Sequence, residues 1–316
     1  TLKARTVGFG GDVHADGTLT IETDEQLAAK NITAGGDAML TPGTDITVND
    51  VTVGGNLNAT AKNITARSIT AGRNAALNAE TALTAQNISA GSDLDAKAVN
   101  ITAQNISAGG KATLNAGTDL FANNVNVGGD ANIAAGTNLT AHDVSVGGDL
   151  DAKAKTITVS NVGAGGNATL NTGAELSAKN VNVGGNADIT AGTNITAHDV
   201  SVGGDLNAKA QNITVASVTG KGNAALTADK DVTVTGAFSA RSAELTAGEN
   251  MTLGGKTDVG ETLTAQVGKD LAVNGTIATG KDFVAHVGND LAVNDLVSTG
   301  GNASLTVGRN VTLDGA

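Results

Sequence analysis

The decapeptide AHDVSVGGDL stands at residues 141–150 and again, unchanged, at residues 197–206. The offset of 56 residues is three turns of a shorter period, because a Gly-x-Asn/Asp corner recurs at Gly35, Gly54, Gly72, Gly91, Gly109, Gly128, Gly147, Gly165, Gly184 and Gly203, in steps of 18 or 19. A strict repeat of this length marks a solenoid, in which one unit is one coil that cannot bury its own apolar side until neighbours stack on it. Any function is then expected on the outside of a rod.

Within the coil from Gly128 to Val146 the apolar residues alternate in three short runs: Ala131 and Ile133, Leu139 and Ala141, Val144 and Val146. Period two is the signature of strand, and the Val, Ile and Thr content at these positions agrees with it. Three strands per coil, joined by Gly-Gly-Asp, Ala-Gly-Thr-Asn and His-Asp corners, predict an all-β parallel β-helix (β-solenoid). About 16 coils of 18–20 residues at about 4.8 Å each predict a length of about 75–80 Å. The shorter coils, beginning at Gly54, Gly91, Gly147 and Gly203, replace the Ala-Gly-Thr-Asn turn by sequences such as Lys153-Ala-Lys-Thr156, so one corner is a residue tighter.

Composition agrees with a thin core. The 316 residues contain 43 Gly and one Pro, no Trp or Tyr, and four Phe (Phe9, Phe121, Phe238 and Phe283), so Ala, Val, Ile, Leu and Thr methyls must fill the interior. A hydrophobic fraction of 40% separates the chain from a disordered acidic polymer. The net charge of -12, with 19 basic residues scattered among 31 acidic ones, argues against a nucleic-acid partner. No apolar run is long enough for a transmembrane segment, and the first five residues do not open a signal peptide, so a soluble mature fragment is expected. The absence of cysteine removes disulfides and thiolate metal sites.

Three segments are distinguished. Residues 1–33 align poorly and are expected to form an irregular region or first coils, with Glu22, Asp24 and Glu25 in an acidic cap. Residues 34–227 carry the 18/19-residue coils and the 56-residue super-repeat. Residues 228–316 continue at a period of about 20, as in VGKDLAVN from Val267, VGNDLAVN from Val287 and VGRNVTLD from Val307. The alignment is poorest around residues 228–255, where Phe238 is expected to fill a wider layer.

Polar residues that suggest chemistry recur in columns. One corner reads Asn31, Asp50, Ser68, Asn87, Asn105, Asn124, Asp143, Asn161, Asn180, Asp199 and Ser217 in successive coils. Stacked amides can hydrogen-bond along the axis while tolerating unusual corner backbone, so this column is expected to be structural. The Gly-x-Asn/Asp corner includes the neighbours Asp130 and Asp149, yet it lacks the Gly-Gly-x-Gly-x-Asp spacing of a calcium β-roll and reads as turn chemistry. His142-Asp143 and His198-Asp199 are three coils, about 14 Å, apart, too far to share a zinc ion. His14 and His286 fall elsewhere, and no cofactor or metal site is expected. Asp149 and Asp151 share a strand face, but they recur by repetition, without the asymmetric carboxylate pair and the sugar platforms that glycosidase chemistry on a β-helix needs. No catalytic residue is expected. The triplets Asn63-Ile-Thr65, Asn87-Ile-Ser89 and Asn194-Ile-Thr196 match a glycan acceptor pattern, although a corner Asn followed by an inward apolar and an outward hydroxyl residue creates it automatically. Thr65, Thr84, Thr102, Thr140, Thr158, Thr196 and Thr214 form an outward row, interrupted by Phe121 and Ser177, in which an ice-ordering surface is the lesser reading.

The units AGGDAMLTPGTDITVNDVTV, VGGDANIAAGTNLTAHDVSV and VGNDLAVNDLVSTGGNASLT resemble the repeats of filamentous haemagglutinin-like exoproteins, including the shafts of contact-dependent inhibition proteins. The resemblance runs over roughly residues 31–316; the family's amino-terminal Asn-Pro-Asn motifs are missing. It implies a right-handed β-helix, two-partner secretion, and adhesion or display at the bacterial surface, with surface glycans or proteins as partners. The leading expectation is a non-catalytic extracellular shaft. The alternatives are a self-polymerising fibre subunit that stacks end to end as a homopolymer, motivated by the in-phase terminus at residues 308–316, and a polysaccharide-active β-helix enzyme.

Overall fold

The computed structural model describes residues 1–5 and 7–314. The described residues are all-β, without helix, and form a β-solenoid of about 16 turns whose strands pair in parallel from coil to coil. The chain divides into two compact units, Thr1–Val159 and Ser160–Ala316.

In the first unit each coil contributes three strand segments. In one coil these are Ala38–Pro42 on the first face, Asp45–Thr47 on the second and Asp50–Val53 on the third. Where the corners are shallow the three merge, as in Leu57–Ala71 and Ala75–Ala90. The pairing is regular: Ala38 lies beside Leu57, Leu57 beside Ala75, Ala75 beside Leu94 and Leu94 beside Ala112. The residues before Asn31 are also coils, with Leu2 beside Ile21 and Leu19 beside Ala38. Glu22 and Glu25 there pair with Lys3 at 2.6 Å and Arg5 at 3.0 Å.

The core is narrow because each of four successive first-face strands buries one leucine and two alanines: Leu57 with Ala59 and Ala61, Leu77 with Ala75 and Ala79, Leu94 with Ala96 and Ala98, Leu114 with Ala112 and Ala116. Over these four coils the order of large and small reverses at each step, so a leucine lies beside an alanine, whereas Ala112 and Leu114 pair with Ala131 and Ile133 in unchanged order. The 18/19 alternation is confined to the corner between the first and second faces. Ala61 pairs with Ala79 but Asn63 with Ala82, so the later coil carries one extra residue between them, and the following coil drops it again. The other two corners keep constant length here, and inward residues stay in phase.

The second unit begins with the same coils and then widens. Ile213 pairs with Val232 but Val218 with Phe238, which places one inserted residue in the corner around 235–237. Asn223 pairs with Ser242, 19 residues on, so the inserted residue is given back at the next corner, and it is the insertion around 260–262, with Ala243 beside Leu263, that lengthens the coil to 20. The two largest fully buried side chains of the described residues, Phe238 and Phe283, lie in this wider part. Its coils are three short strands, as in Met251–Leu253, Thr257–Val259 and Leu263–Val267.

One core position is imperfect. Thr172 is buried beside Ala191, and its Oγ1 has no hydrogen-bond partner. The buried hydroxyls of Thr23 and Thr279, by contrast, donate to the carbonyls of Glu25 and Lys281. Thr172→Val keeps the volume and removes the orphaned hydroxyl, so the second unit should gain about 1–2 kcal/mol. A chemical-denaturation midpoint that rises with unchanged slope is the expected result; a fall would mean that the hydroxyl is satisfied in solution.

Candidate functional site

The outward side chains form axial columns, and three of these turn out to be hydrogen-bonded devices. The first is the Gly-Gly-Asp/Asn corner. Asp37 Oδ1 accepts the backbone N–H of Asn56 at 2.7 Å, Asn74 Oδ1 accepts that of Asp93 at 3.0 Å, and Asp93 Oδ1 accepts that of Lys111 at 2.8 Å. The same bond joins Asn186 to Asp205 (2.8 Å) and Asp205 to Asn223 (2.7 Å) in the second unit. Each short side chain thus caps the corner amide one coil later; Asp and Asn suit the place because their carbonyl or carboxylate oxygen lies two carbons beyond Cα, and Lys111, which stands in the same column, carries no acceptor.

The glycines belong to the same device. No described residue has positive φ, so neither this corner nor the amide-ladder corner, where unusual backbone was expected, adopts a left-handed conformation. Glycine is favoured because the coils approach closely, although Lys221 stands at the first position and Arg73 and Ser92 at the second. A Cβ on Gly54 would collide with the carbonyl of Gly35, and one on Gly55 would collide with Asp37 Oδ1, the atom that caps Asn56. Where Arg73 takes the place of the second glycine, the capping bond to Asn74 lengthens to 3.3 Å.

Asp130 and Asp149 adjoin in this column, and both Asp130 oxygens are engaged. Asp130 Oδ1 accepts the backbone N–H of Asp149 at 3.1 Å, and its Oδ2 meets Lys111 Nζ at 3.0 Å. The backbone hydrogen bond from Asp149 and then Lys111 hold the Asp130 carboxyl below its ordinary range.

The second column is the amide ladder read from the sequence. Asn105 Nδ2 donates to Asn87 Oδ1 and Asn124 Nδ2 to Asn105 Oδ1, both at 2.7 Å, and Asn180 Nδ2 donates to Asn161 Oδ1 at 2.6 Å. Arg67 and Ser217 take the place of amides by bonding to Asp50 and Asp199. Ser217 and then His198 hold the Asp199 carboxyl below its ordinary range. A third column, missed in the sequence, lies at the start of the second face: Asn63 Nδ2 donates to Asp45 (2.8 Å), Asn138 to Asp119 (2.9 Å), and Asn212 to Asn194 (3.0 Å). The signal was present as Asn or Asp recurring one coil apart. Asn63, Asn87 and Asn194, the acceptor-like asparagines, are therefore members of ladders.

The wider coils keep amide bonds, as from Asn294 Nδ2 to Asn274 Oδ1 at 2.9 Å, and add columns of alternating charge. Glu261 lies between Lys281 and Arg241, each at 3.2 Å, and these two, Lys281 first, hold its carboxyl below the ordinary range. Lys269 meets Glu249 at 2.7 Å, which raises the ammonium above its ordinary range. The sequence signal was a charge that changes sign every 20 residues.

His142 bonds Asp143 at 3.0 Å and His198 bonds Asp199 at 2.9 Å, each pair exposed on its corner, and His14 bonds Asp16 at 3.0 Å. Asp151 stands outward on the first face, on the strand that Asp149 precedes. The threonine row is longer than the sequence suggested. Thr47, Thr65, Thr84 and Thr102 align in the first unit before Phe121 and Thr140, and Thr196, Thr214, Thr233 and Thr252 align in the second. Phe121 is the break, an aromatic ring 44% exposed.

Among the described residues, no group of three or more His, Asp or Glu is placed to hold a metal ion, and no helix is long and apolar enough to cross a membrane. No family model, no curated protein and no solved structure matches the chain.

Proposed function

We propose that the chain is a structural shaft of a secreted bacterial surface adhesin or extracellular filament, mediating attachment or aggregation by reach and repeated weak contacts, without catalysis. The observation that carries this reading is the repetition of the corner device: the same Asp/Asn cap and the same glycine contacts recur coil after coil, and histidine and carboxylate pairs recur with them. A catalytic site needs residues that occur once. A shaft needs the same stiffening element everywhere, and the resemblance of the repeat units to filamentous haemagglutinin-like exoproteins favours the same reading, including the extracellular location.

A second reading is a self-polymerising fibre subunit, in which coils of one molecule stack on those of the next; the parallel coil-to-coil pairing of the described residues is the pairing such stacking would use. Gly315 and Ala316 lie outside the described residues. Sedimentation velocity across a wide concentration range tests both readings. A shaft is expected to sediment as one highly elongated species at every concentration. Growth with concentration would replace it by the fibre reading, and a frictional ratio near that of a sphere would overturn both.

A further inference from the structure

Asn274-Gly275 is the single Asn-Gly dipeptide of the chain. Such a pair ordinarily marks a two-residue hairpin turn; here it forms a corner between the strands Leu271–Val273 and Ile277–Thr279, and neither residue has positive φ. Each has its own reason to stand there. Asn274 Oδ1 accepts a hydrogen bond from Asn294 Nδ2 at 2.9 Å, one coil later. Gly275 lies so close to the coil before it that a Cβ would collide with the backbone of Gly255. Coil stacking thus favours asparagine at one position and glycine at the next for unrelated reasons, and their adjacency creates a chemistry that neither has alone.

The main-chain nitrogen that follows an asparagine can attack the side-chain carbonyl and close a five-membered ring, and this corner favours the attack in three ways. Gly275 carries no Cβ to screen its nitrogen. Among the described residues its N–H donates no hydrogen bond, so no partner has to be given up. Asn294, donating to Asn274 Oδ1, stabilises the negative charge that builds on that oxygen during attack. Asn274 is also exposed, open to the base and the water that the reaction uses.

We propose that Asn274 is a self-modification site, which deamidates through a succinimide in the folded chain. The Gly275 nitrogen gives its proton to solvent base and bonds to Asn274 Cγ; the Cγ–Nδ2 bond breaks and the amide nitrogen takes up a proton and leaves as ammonia. Water then opens the ring, and no electrons are transferred. Breaking the new bond to Cγ leaves aspartate, which can still accept from Asn294. Breaking the bond to the Asn274 main-chain carbonyl carbon leaves isoaspartate, whose backbone is one methylene longer in a corner where Gly255 leaves little space. The proposal goes beyond the shaft reading and does not depend on it.

The test ages the whole folded chain in mildly alkaline buffer, then unfolds it and digests it with trypsin. The fragment between Lys269 and Lys281 contains Asn274 as its one asparagine. It is expected to show the mass change of an amide turned into an acid and to separate into aspartyl and isoaspartyl forms, at a rate that rises with pH because the attacking nitrogen must lose its proton. Asn294 is the internal reference, since Leu-Ala-Val precedes both asparagines and the two stand in register, but Asp295 follows it. It should react at least about tenfold more slowly, because a side chain screens the nitrogen of residue 295. A synthetic peptide of residues 270–281 gives the rate without the fold. The folded chain should come within about tenfold of it, because residues 274–276 lie outside the strands and no coil has to open. Three results would each overturn the proposal: a fragment still unmodified in the folded chain after the peptide has reacted, equal reaction at Asn294, or an acid product without the isoaspartyl form. None of them bears on the shaft reading, which sedimentation decides.

Discussion

Replacing Gly109 by Ala is expected to destabilise the first unit by about 3 kcal/mol or more, at the upper end of what overpacking costs. An added Cβ would lie 3.1 Å from the carbonyl carbon of Gly91 and far inside contact distance of its oxygen. The obstacle is backbone, so no rotamer change relieves it. The coils must separate, which strains the bonds from Gly109 N to Ala90 O at 3.0 Å and from Gly128 N to Ala108 O at 2.8 Å. Gly117 is the matched control, because a Cβ there meets nothing closer than Val99 Cα at 3.4 Å. Gly117→Ala should be neutral or stabilise by about 0.4–1 kcal/mol through the unfolded chain. The comparison needs only two denaturation curves. If both variants melt alike, coil spacing is softer than the corner geometry requires.

Phe238→Ala is the second large effect. The ring is fully buried, sits immediately after the residue inserted around 235–237, and lies in register between Val218 and Thr257. Removing it should cost about 3–5 kcal/mol, the range for emptying a phenylalanine site. Phe238→Leu should cost about 1–1.5 kcal/mol, because it refills most of the space. These values are read from the shift in denaturation midpoint. A loss below about 1.5 kcal/mol for the alanine variant would show that the wider coil closes onto the space and that the ring does not hold the layer open.

Much of this fold is legible in the sequence because a solenoid repeats its pairing partners at a fixed offset. The alternation Ala131, Ile133, Leu139, Ala141, Val144, Val146 names the inward residues directly, and the shortened turn at Lys153 locates the variable corner. What the corner residues do is less legible. Gly-Gly-Asp reads locally as a turn, whereas Gly54, Gly55 and Asn56 are constrained by Gly35 and Asp37, a coil earlier. Recurrence shows that two positions adjoin, and it does not show whether a side-chain oxygen meets another side chain or a backbone amide.

The capped corner has a consequence for attack by proteases. The chain carries 19 Lys and Arg residues, and in a loop-rich protein exposed basic residues would be tryptic targets. A protease must lift several residues of backbone into its own cleft, so cleavage follows local opening. Here the bends of the chain, the places where backbone is ordinarily loose, have their amide protons held by Asp37, Asn74, Asp93, Asn186 and Asp205. The chain offers a protease corners where other proteins offer loops, and opening one corner means breaking its bonds to the coil before and the coil after.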